Sequence, residues 1–331
     1  MSGLAILGSI LLVPGLAEPL PVLAVEPTVM HAPPVAGPVT LLSYNVEGLP
    51  WPLTHGRIAA AADIATELRA LHDRGAGPQV VAVQEAFGDA QKAIGTAAGY
   101  RYVAFGPSEA AVAAPAVTPS EREFLQGASL WHGETEGVRA DSGLAIFSDY
   151  PIRWVRRVPF PRFACAGYDC LANKGMLAVA LQVPGEADPL IVVDTHLNAR
   201  AASGVDADRS LFAYRRQVDA LRAFIGSLGL RNTPLMLAGD FNVGNDPARR
   251  SYLAQALVGA NGMRIAASEA SCGATCRSVP QTPTLARAKT VVAFRSAATK
   301  MATDGIVNSF GTMPNGRRLS DHIGVMRRFV L

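Results

Sequence analysis

The chain has 331 residues, 49% of them hydrophobic and 17% charged. That balance fills a substantial core and excludes a largely disordered protein. Lys and Arg number 30 against 27 Asp and Glu, for a formal net charge of +3, and basic residues nowhere form a run of five or more, which argues against a grip on long nucleic acid through many phosphates.

In chain order, Leu4 to Leu16 is an apolar block followed by small-residue sites at Gly15-Leu16-Ala17 and Val22-Leu23-Ala24. It reads as a secretory signal peptide over residues 1–24, without the usual Lys or Arg ahead of the apolar stretch. The block is too short to span a bilayer, so no transmembrane span is expected. Residues 25–38 read as a Pro/Ala-rich linker, and residues 39–331 as the folded domain.

Val39 to Tyr44 reads as a buried strand ending at Asn45. Arg57 to Leu71 carries apolar residues at helical spacing and stops near Gly75-Ala76-Gly77-Pro78. Val80 to Val83 is a second strand, ending at Gln84-Glu85; Asp89 to Ala98 reads as helix and Tyr100 to Phe105 as strand. Gly106 to Arg139 has little pattern and reads as a long loop with a short helix near Ser120 to Gln126. Gly143 to Phe147 and Trp154 to Val158 flank a turn at Asp149-Tyr150-Pro151. Met176 to Val183 and Leu190 to Asp194 form a strand pair, the second ending at Thr195-His196. Ser210 to Leu228 is an amphipathic helix. Leu235 to Val243 runs an apolar strand into Asp240 and Asn242, whose i, i+2 spacing puts both side chains on one face; a polar turn is the plainer reading. Asp246-Pro247 caps a helix reaching about Val258, and Gly305 to Asn308 and Gly324 to Val330 are the last strands.

The four cysteines fall in two close pairs, Cys165/Cys170 and Cys272/Cys276. Two local disulfides in an oxidising compartment account for them; a tetrathiolate zinc site is the alternative, with spacings unlike two-residue knuckles. Trp51, Trp131 and Trp154 are expected to be packing residues, His132 a surface or core-edge residue, and Arg317 and Arg318 a solvated pair.

Asn45, Glu85, His196, Asp240, Asn242, Asp304 and His322 all lie at or just beside strand ends. Loops at one edge of a layered α/β domain gather into a single site. Carboxylates, amides and two imidazoles are the groups that metal-assisted phosphoester hydrolysis requires, because hard oxygens hold Mg²⁺ and imidazole moves protons near neutral pH.

Tyr44-Asn45-Val46, Gln84-Glu85, Ser142-Gly143-Leu144, Asp194-Thr195-His196-Leu197, Gly239-Asp240-Phe241-Asn242 and Ser320-Asp321-His322 resemble, in order, the motifs of the endonuclease/exonuclease/phosphatase superfamily. The resemblance implies a four-layer α/β sandwich, two packed mixed β-sheets flanked by helices. It implies Glu85 as the principal ligand of Mg²⁺ (or Mn²⁺, Co²⁺ or Ca²⁺), with Asn45 beside it and Asp321 near the metal. Asp240 and Asn242 would position the attacking water and the phosphate, His196 would contact phosphate and leaving group, and His322 would be the catalytic histidine oriented by Asp304. The family often has an aromatic after the aspartate corresponding to Asp304, where this chain has Gly305.

Asn45-Val46-Glu47-Gly48-Leu49-Pro50 and Asp169-Cys170-Leu171-Ala172-Asn173-Lys174-Gly175 are similar to segments of neutral bacterial sphingomyelinases and related phospholipases C. That branch implies an exported phosphodiesterase favouring phospholipid over nucleic acid, with peripheral membrane contact; no protein partner is inferable from the sequence, and a monomer is expected. Lys174 is a candidate phosphate contact. Thr284 to Met301 is a candidate interfacial patch or an ordinary strand and loop, and no aromatic-rich hairpin is apparent. A secreted deoxyribonuclease-like endonuclease, another phosphatase of the superfamily and a non-catalytic binding protein are the alternatives.

Overall fold

The computed structural model describes residues 30–50, 52–229, 233–271, 284–296 and 301–331 and the backbone of Leu23–Ala24, the side chains of 271 and 304–306 excepted. Strands β1 (Leu23–Ala24), β2 (Val39–Asn45), β3 (Val80–Gln84), β4 (Tyr102–Phe105) and β5 (Ala145–Ser148) alternate with helices α1 (Arg57–Asp73), α2 (Asp89–Lys92), α3 (Ile94–Ala98) and α4 (Pro119–Gln126). Strands β6 (Ile152–Pro159), β7 (Gly175–Leu181) and β8 (Leu190–His196) lead to α5 (Ala207–Ser227), β9 (Leu235–Asp240) and α6 (Pro247–Ala254). Strands β10 (Arg264–Ser268), β11 (Thr290–Arg295), β12 (Ala302–Phe310) and β13 (Gly324–Val330) complete the chain.

These strands form two mixed sheets, in the orders β1-β4-β5-β3-β2-β13-β12 and β10-β11-β9-β8-β7-β6. Continuous apolar runs explain why the central strands lie in the interior: all seven residues of β7 and of β8 are buried, the pattern of strands covered on both faces. One apolar cluster, including Leu41, Val80, Val179, Val192, Met236 and Phe329, fills the space between the sheets. A second packs β7, β8 and β9 against Tyr214, Val218 and Leu221 of α5 and Leu253 of α6. The third packs β2 and β3 against Ile64 and Leu68 of α1. Helix, sheet, sheet, helix is the sandwich that the motifs imply.

Local signals set the helix starts. Thr118 and Glu121 form a reciprocal capping box with Pro119 at the first turn of α4, and Asp246 accepts from Ala248 N and Arg249 N ahead of Pro247. The expected single helix over Asp89 to Ala98 is two short ones, α2 and α3, joined at Ala93. Helix α6 ends at Ala254 and gives way to a π-helical turn over Gln255–Ala260. Strand β10 has no counterpart in the sequence reading; it pairs with β11 at the edge of its sheet. In the stretch expected to be linker, His31 is held by Asp149 Oδ1 at 2.7 Å and Ala98 O at 2.8 Å.

Cys165 and Cys170 are joined in a disulfide, so this pair supplies no thiolate to a zinc knuckle. Cys272 and Cys276 lie outside the described residues. Trp131 is 85% exposed, against the expectation of a packing role: its loop carries it clear of any core cluster. Trp51 lies outside the described residues. His132 is held at the surface by Ser129 Oγ, 2.7 Å from Nδ1. Arg317 pairs with Asp63 at 2.7 Å, and Arg318 donates to Asp321 O at 2.6 Å.

Candidate active site

Two parallel strand pairs, one in each sheet, build the site. β2 and β3 are parallel with Asn45 opposite Gln84, so Asn45 and Glu85 emerge at one end of the first sheet. β8 and β9 are parallel with His196 opposite Asp240, and those residues emerge at the facing end of the second. A Cβ at Gly239 would lie 2.3 Å from Thr195 O; glycine there lets β9 approach β8 one residue before Asp240. β13 is antiparallel to β2, so the segment before it delivers Ser320, Asp321 and His322 to the same pole.

The Asn45 amide links the sheets. Its Nδ2 donates to Glu85 Oε1 at 2.8 Å and to Asp240 Oδ2 at 3.1 Å, while its Oδ1 accepts from Glu47 N at 2.9 Å. Ser320 Oγ donates to Asn45 O at 2.8 Å and accepts from His322 N at 3.1 Å, which fixes the last loop against the first strand. Three non-glycine residues here adopt left-handed backbone, Glu47 at φ 51°, Glu85 at φ 59° and Asn242 at φ 45°. Such conformations persist where surrounding contacts over-determine them, and they concentrate at functional positions. For Asn242 the contacts are its N–H to Asp240 Oδ1 at 3.0 Å and its Nδ2 to Leu197 O at 2.9 Å.

Both histidines converge on Asp240, with His196 Nε2 and His322 Nε2 each 3.6 Å from Asp240 Oδ2. Burial opposes charge on Asp240, but His322, His196 and the Asn45 and Asn242 N–H groups outweigh it and lower its pKa to about 2. His196 behaves differently. Burial first, and the Lys174 ammonium second, lower its pKa to about 3, so the ring is neutral at physiological pH. Lys174 Nζ lies 3.2 Å from His196 Nε2, which therefore accepts and leaves the ring proton on Nδ1.

The structure thus brings Asn45, Glu85, Lys174, His196, Asp240, Asn242 and His322 together. Asp321 is at the rim, its side chain 58% exposed and its Oδ1 3.8 Å from His322 Nε2. Asp304 falls in the register irregularity of β12 between Thr303 and Val307; its side chain is outside what the structure describes. His322 Nδ1 is buried with no hydrogen-bond partner among the described residues.

Several contributors have no motif to mark them. Asp169 accepts from Lys174 Nζ and from Ala199 N, and its place five residues before Lys174 in the sphingomyelinase-like segment is the available signal. Arg249, fully buried, donates to Asn198 O at 2.7 Å and Asn242 O at 2.9 Å, tying together the loops after β8 and β9. Arg57 does the same for the first and last loops, reaching Val46 O at 2.6 Å and Leu319 O at 2.8 Å. Glu269 accepts from Thr290 N at 3.1 Å, and Thr290 pairs with Asp240 across β11 and β9. Deeper between the sheets, Gln84 Nε2 donates to Asp194 Oδ1 at 2.7 Å, and burial pushes the Asp194 carboxyl well above its usual pKa.

The donor set fits a divalent cation at Glu85. Burial raises the Glu85 pKa, and the neighbouring Asp240 carboxylate raises it further, against the Asn45 amide and the more distant Lys174 and His322. A carboxylate so placed gains most from a hard cation with oxygen preference, and the Glu85 and Asp240 carboxylates are joined by the Asn45 Nδ2, whose Oδ1 is turned to Glu47 N.

Comparison with known proteins gives a consistent result. A family model described as the Endonuclease/Exonuclease/phosphatase family matches residues 42–323. Among solved structures, sphingomyelinase C from Streptomyces griseocarneus is similar at 22% identity and TM-score 0.59, over 88% of this chain and 99% of that one. Beta toxin from Staphylococcus aureus, in a structure with bound magnesium ions, is similar at 16% identity and TM-score 0.59, over 88% and 99%. The human Nocturnin catalytic domain with bound sulfate anion is similar at 15% identity and TM-score 0.54, over 89% and 95%. No curated protein matches by sequence. At these identities the likenesses speak for the fold.

Proposed function

Because the chain belongs to the endonuclease/exonuclease/phosphatase family, whose members hydrolyse phosphoesters, we propose that it is a divalent-metal-dependent phosphodiesterase of the sphingomyelinase and phospholipase C type. The observation that carries this reading is the convergence of Asn45, Glu85, His196, Asp240 and His322 on one buried cluster at a single pole of the sandwich. Glu85 would hold Mg²⁺ or a similar ion, with Asn45 beside it and Asp321 at the rim. When bound, the ion supplies charge neutralisation of the phosphate and acidifies water.

The remaining roles follow from protonation and contact. Asp240, ionised above about pH 2, positions the attacking water, and His322 Nε2, 3.6 Å from Asp240 Oδ2, takes the proton of that water. Asn242, fixed to Asp240 and Leu197, positions the phosphate. Neutral His196 cannot stabilise charge as an imidazolium; it orients Lys174, and the Lys174 ammonium faces the phosphate and leaving oxygen. Asp304 is retained as the orienting partner of His322 Nδ1.

A lipid substrate is supported by the surface beside the site. Leu130, Trp131 and Tyr168 are 71%, 85% and 50% exposed, and Tyr168 adjoins Asp169, which grips Lys174. Exposed tryptophan and tyrosine with one apolar and one polar end suit a membrane–water interface. Among the described residues no helix is long and apolar enough to cross a membrane, so the contact proposed is peripheral. The Cys165–Cys170 disulfide supports export to an oxidising compartment, with residues 1–24 as the leader and 25–38 as the segment leading into the domain.

The test is a panel of sphingomyelin, phosphatidylcholine and plasmid DNA, each with Mg²⁺, Mn²⁺, Ca²⁺ or Co²⁺ and with chelator. Release of phosphocholine that chelator abolishes is expected; turnover unaffected by chelator, or DNA cleaved in preference to both lipids, overturns the reading. Trp131→Ala should weaken partition onto sphingomyelin vesicles about 10-fold, corresponding to ~55 Å² of apolar area at ~25 cal/mol/Å². Partition unchanged in a sedimentation assay would remove Trp131 from the interface.

A further inference from the structure

One acidic side chain beside the catalytic cluster is tied to both the first and the last loop of the site. Glu47 follows β2 by two residues, in the loop that leads to α1. Its φ of 51° puts a long side chain in left-handed backbone, a conformation that glycine, asparagine and aspartate adopt more readily. The turn is needed there. Val46 N donates to Gln84 O at 3.0 Å, still in step with β3, and one residue beyond Glu47 the chain passes so close to the segment carrying Glu85 that a Cβ at Gly48 would lie 2.1 Å from Glu85 O. Glycine at position 47 would make the same turn at lower cost; what glutamate adds is its carboxylate.

That carboxylate reaches the far end of the sequence. Glu47 Oε2 accepts from Asp321 N at 2.9 Å, 274 positions on, and lies 3.3 Å from Arg57 Nη1. Arg57 Nε donates to Glu47 O at 2.7 Å and its Nη2 to Leu319 O at 2.8 Å, so one guanidinium holds the glutamate and grips the same distant loop. Both side chains are mostly withdrawn from water, at 25% and 14% exposure, and a charge-assisted bond in such a setting keeps its direction. Glu47 N meanwhile donates to Asn45 Oδ1 at 2.9 Å, leaving Asn45 Nδ2 for Glu85 and Asp240. Resting on the reading of His322 as acceptor of the water proton, we infer that Glu47 is a positioning residue: through Asp321 N it sets where the next residue, His322, meets Asp240 and the attacking water. The last loop is anchored at Leu319 O by Arg57, at Ser320 Oγ by Asn45 O and at Asp321 N by Glu47, and the third tie lies nearest His322. Without it the loop pivots about Ser320 and carries His322 Nε2 away from its 3.6 Å approach to Asp240 Oδ2, and a displacement of about 1 Å is costly in rate.

Two amide replacements that differ by one methylene test this in the full-length protein. Glutamine keeps an oxygen at the length that reaches Asp321 N, whereas asparagine suits left-handed backbone better than glutamate and is too short for that bond. With sphingomyelin in detergent micelles and Mg²⁺, Glu47→Gln should keep kcat within about 3-fold of the parent, and Glu47→Asn should lower it by about 10-fold or more. KM, the Mg²⁺ requirement and the thermal midpoint of Glu47→Asn should change little, a split that general loosening of the fold would not give. Amide hydrogen exchange at Asp321, followed by NMR, should quicken in Glu47→Asn and not in Glu47→Gln. Parent-like kcat in Glu47→Asn, equal losses in the two variants, or Asp321 exchange equal in all three proteins overturns the role of Glu47. A parent enzyme inert toward both sphingomyelin and bis(4-nitrophenyl) phosphate overturns the phosphodiesterase reading instead, and the exchange rates then still decide whether Glu47 holds the loop.

Discussion

Lys174→Met strips the counter-charge from Asp169 and removes a like charge from the face of His196. In the native protein, burial and then the Lys174 ammonium 3.2 Å away bring His196 from 6.5 to about 3. At ~1.36 kcal/mol per pH unit, that fall favours the neutral ring by about 5 kcal/mol. The unfolded chain takes up this proton near pH 6.5 and the folded chain only near 3, so His196 erodes stability as the pH falls through that window and contributes no such loss above it. Methionine keeps much of the lysine stem's packing while leaving Asp169 to attract a proton to the imidazole. His196 should then titrate at least one pH unit higher, and the stability lost between about pH 7 and pH 3 should shrink by ~1 kcal/mol. The assay pairs NMR titration of histidine Cε1–H signals, assigned with His196→Gln, with urea midpoints at the two pH values. A His196 signal that titrates at the same pH in both proteins refutes the argument that Lys174 holds this ring neutral.

Glu85→Gln should cut phosphodiester turnover by at least about 100-fold and abolish metal binding at that pole, yet leave the thermal midpoint equal or higher, since burial makes the Glu85 charge costly; calorimetry beside a turnover assay reads both. Asp194→Asn should raise stability at pH 7 by about 1 kcal/mol or more and change it little below about pH 4. The reason is that a carboxyl whose folded pKa is raised costs stability as pH rises through and above its unfolded value; denaturant midpoints at the two pH values test it. Arg249→Met should cost about 3 kcal/mol by leaving the Asn198, Asn242 and Ala199 carbonyls short of donors. It should also lower kcat more than it changes KM, because Asn242 loses its backbone tether; a KM effect alone would mean that Arg249 does not position that loop.

Much of the site was legible because its residues stand at the ends of apolar strands. The run into Gly239-Asp240-Phe241-Asn242 and the Gln84-Glu85 ending are local patterns, and the parallel pairings that bring them together follow from the helices between their strands. Arg249 was not legible, since one buried arginine donating to carbonyls looks in sequence like any helical surface arginine. β10 was missed because Arg264 and Ile265 open it with neither strict alternation nor a long apolar run, and its pairing with β11 is a tertiary choice. Trp131 was misread for the opposite reason: a large apolar side chain predicts burial, and only the path of the loop reveals its exposure. The placement of His31 rests on its ring stack with His72 and on hydrogen bonds to residues 67 and 118 positions away.

The Asn45 amide, shared between Glu85 in one sheet and Asp240 in the other, has a consequence for how this protein fails. Neither sheet alone carries a working half of the chemistry, so activity exists only while the two layers are clamped face to face. A chain that has begun to splay at this pole is silent before it is unfolded. Turnover should therefore fall ahead of the loss of helical signal during denaturation, making catalysis a sensitive gauge of the seam between the sheets.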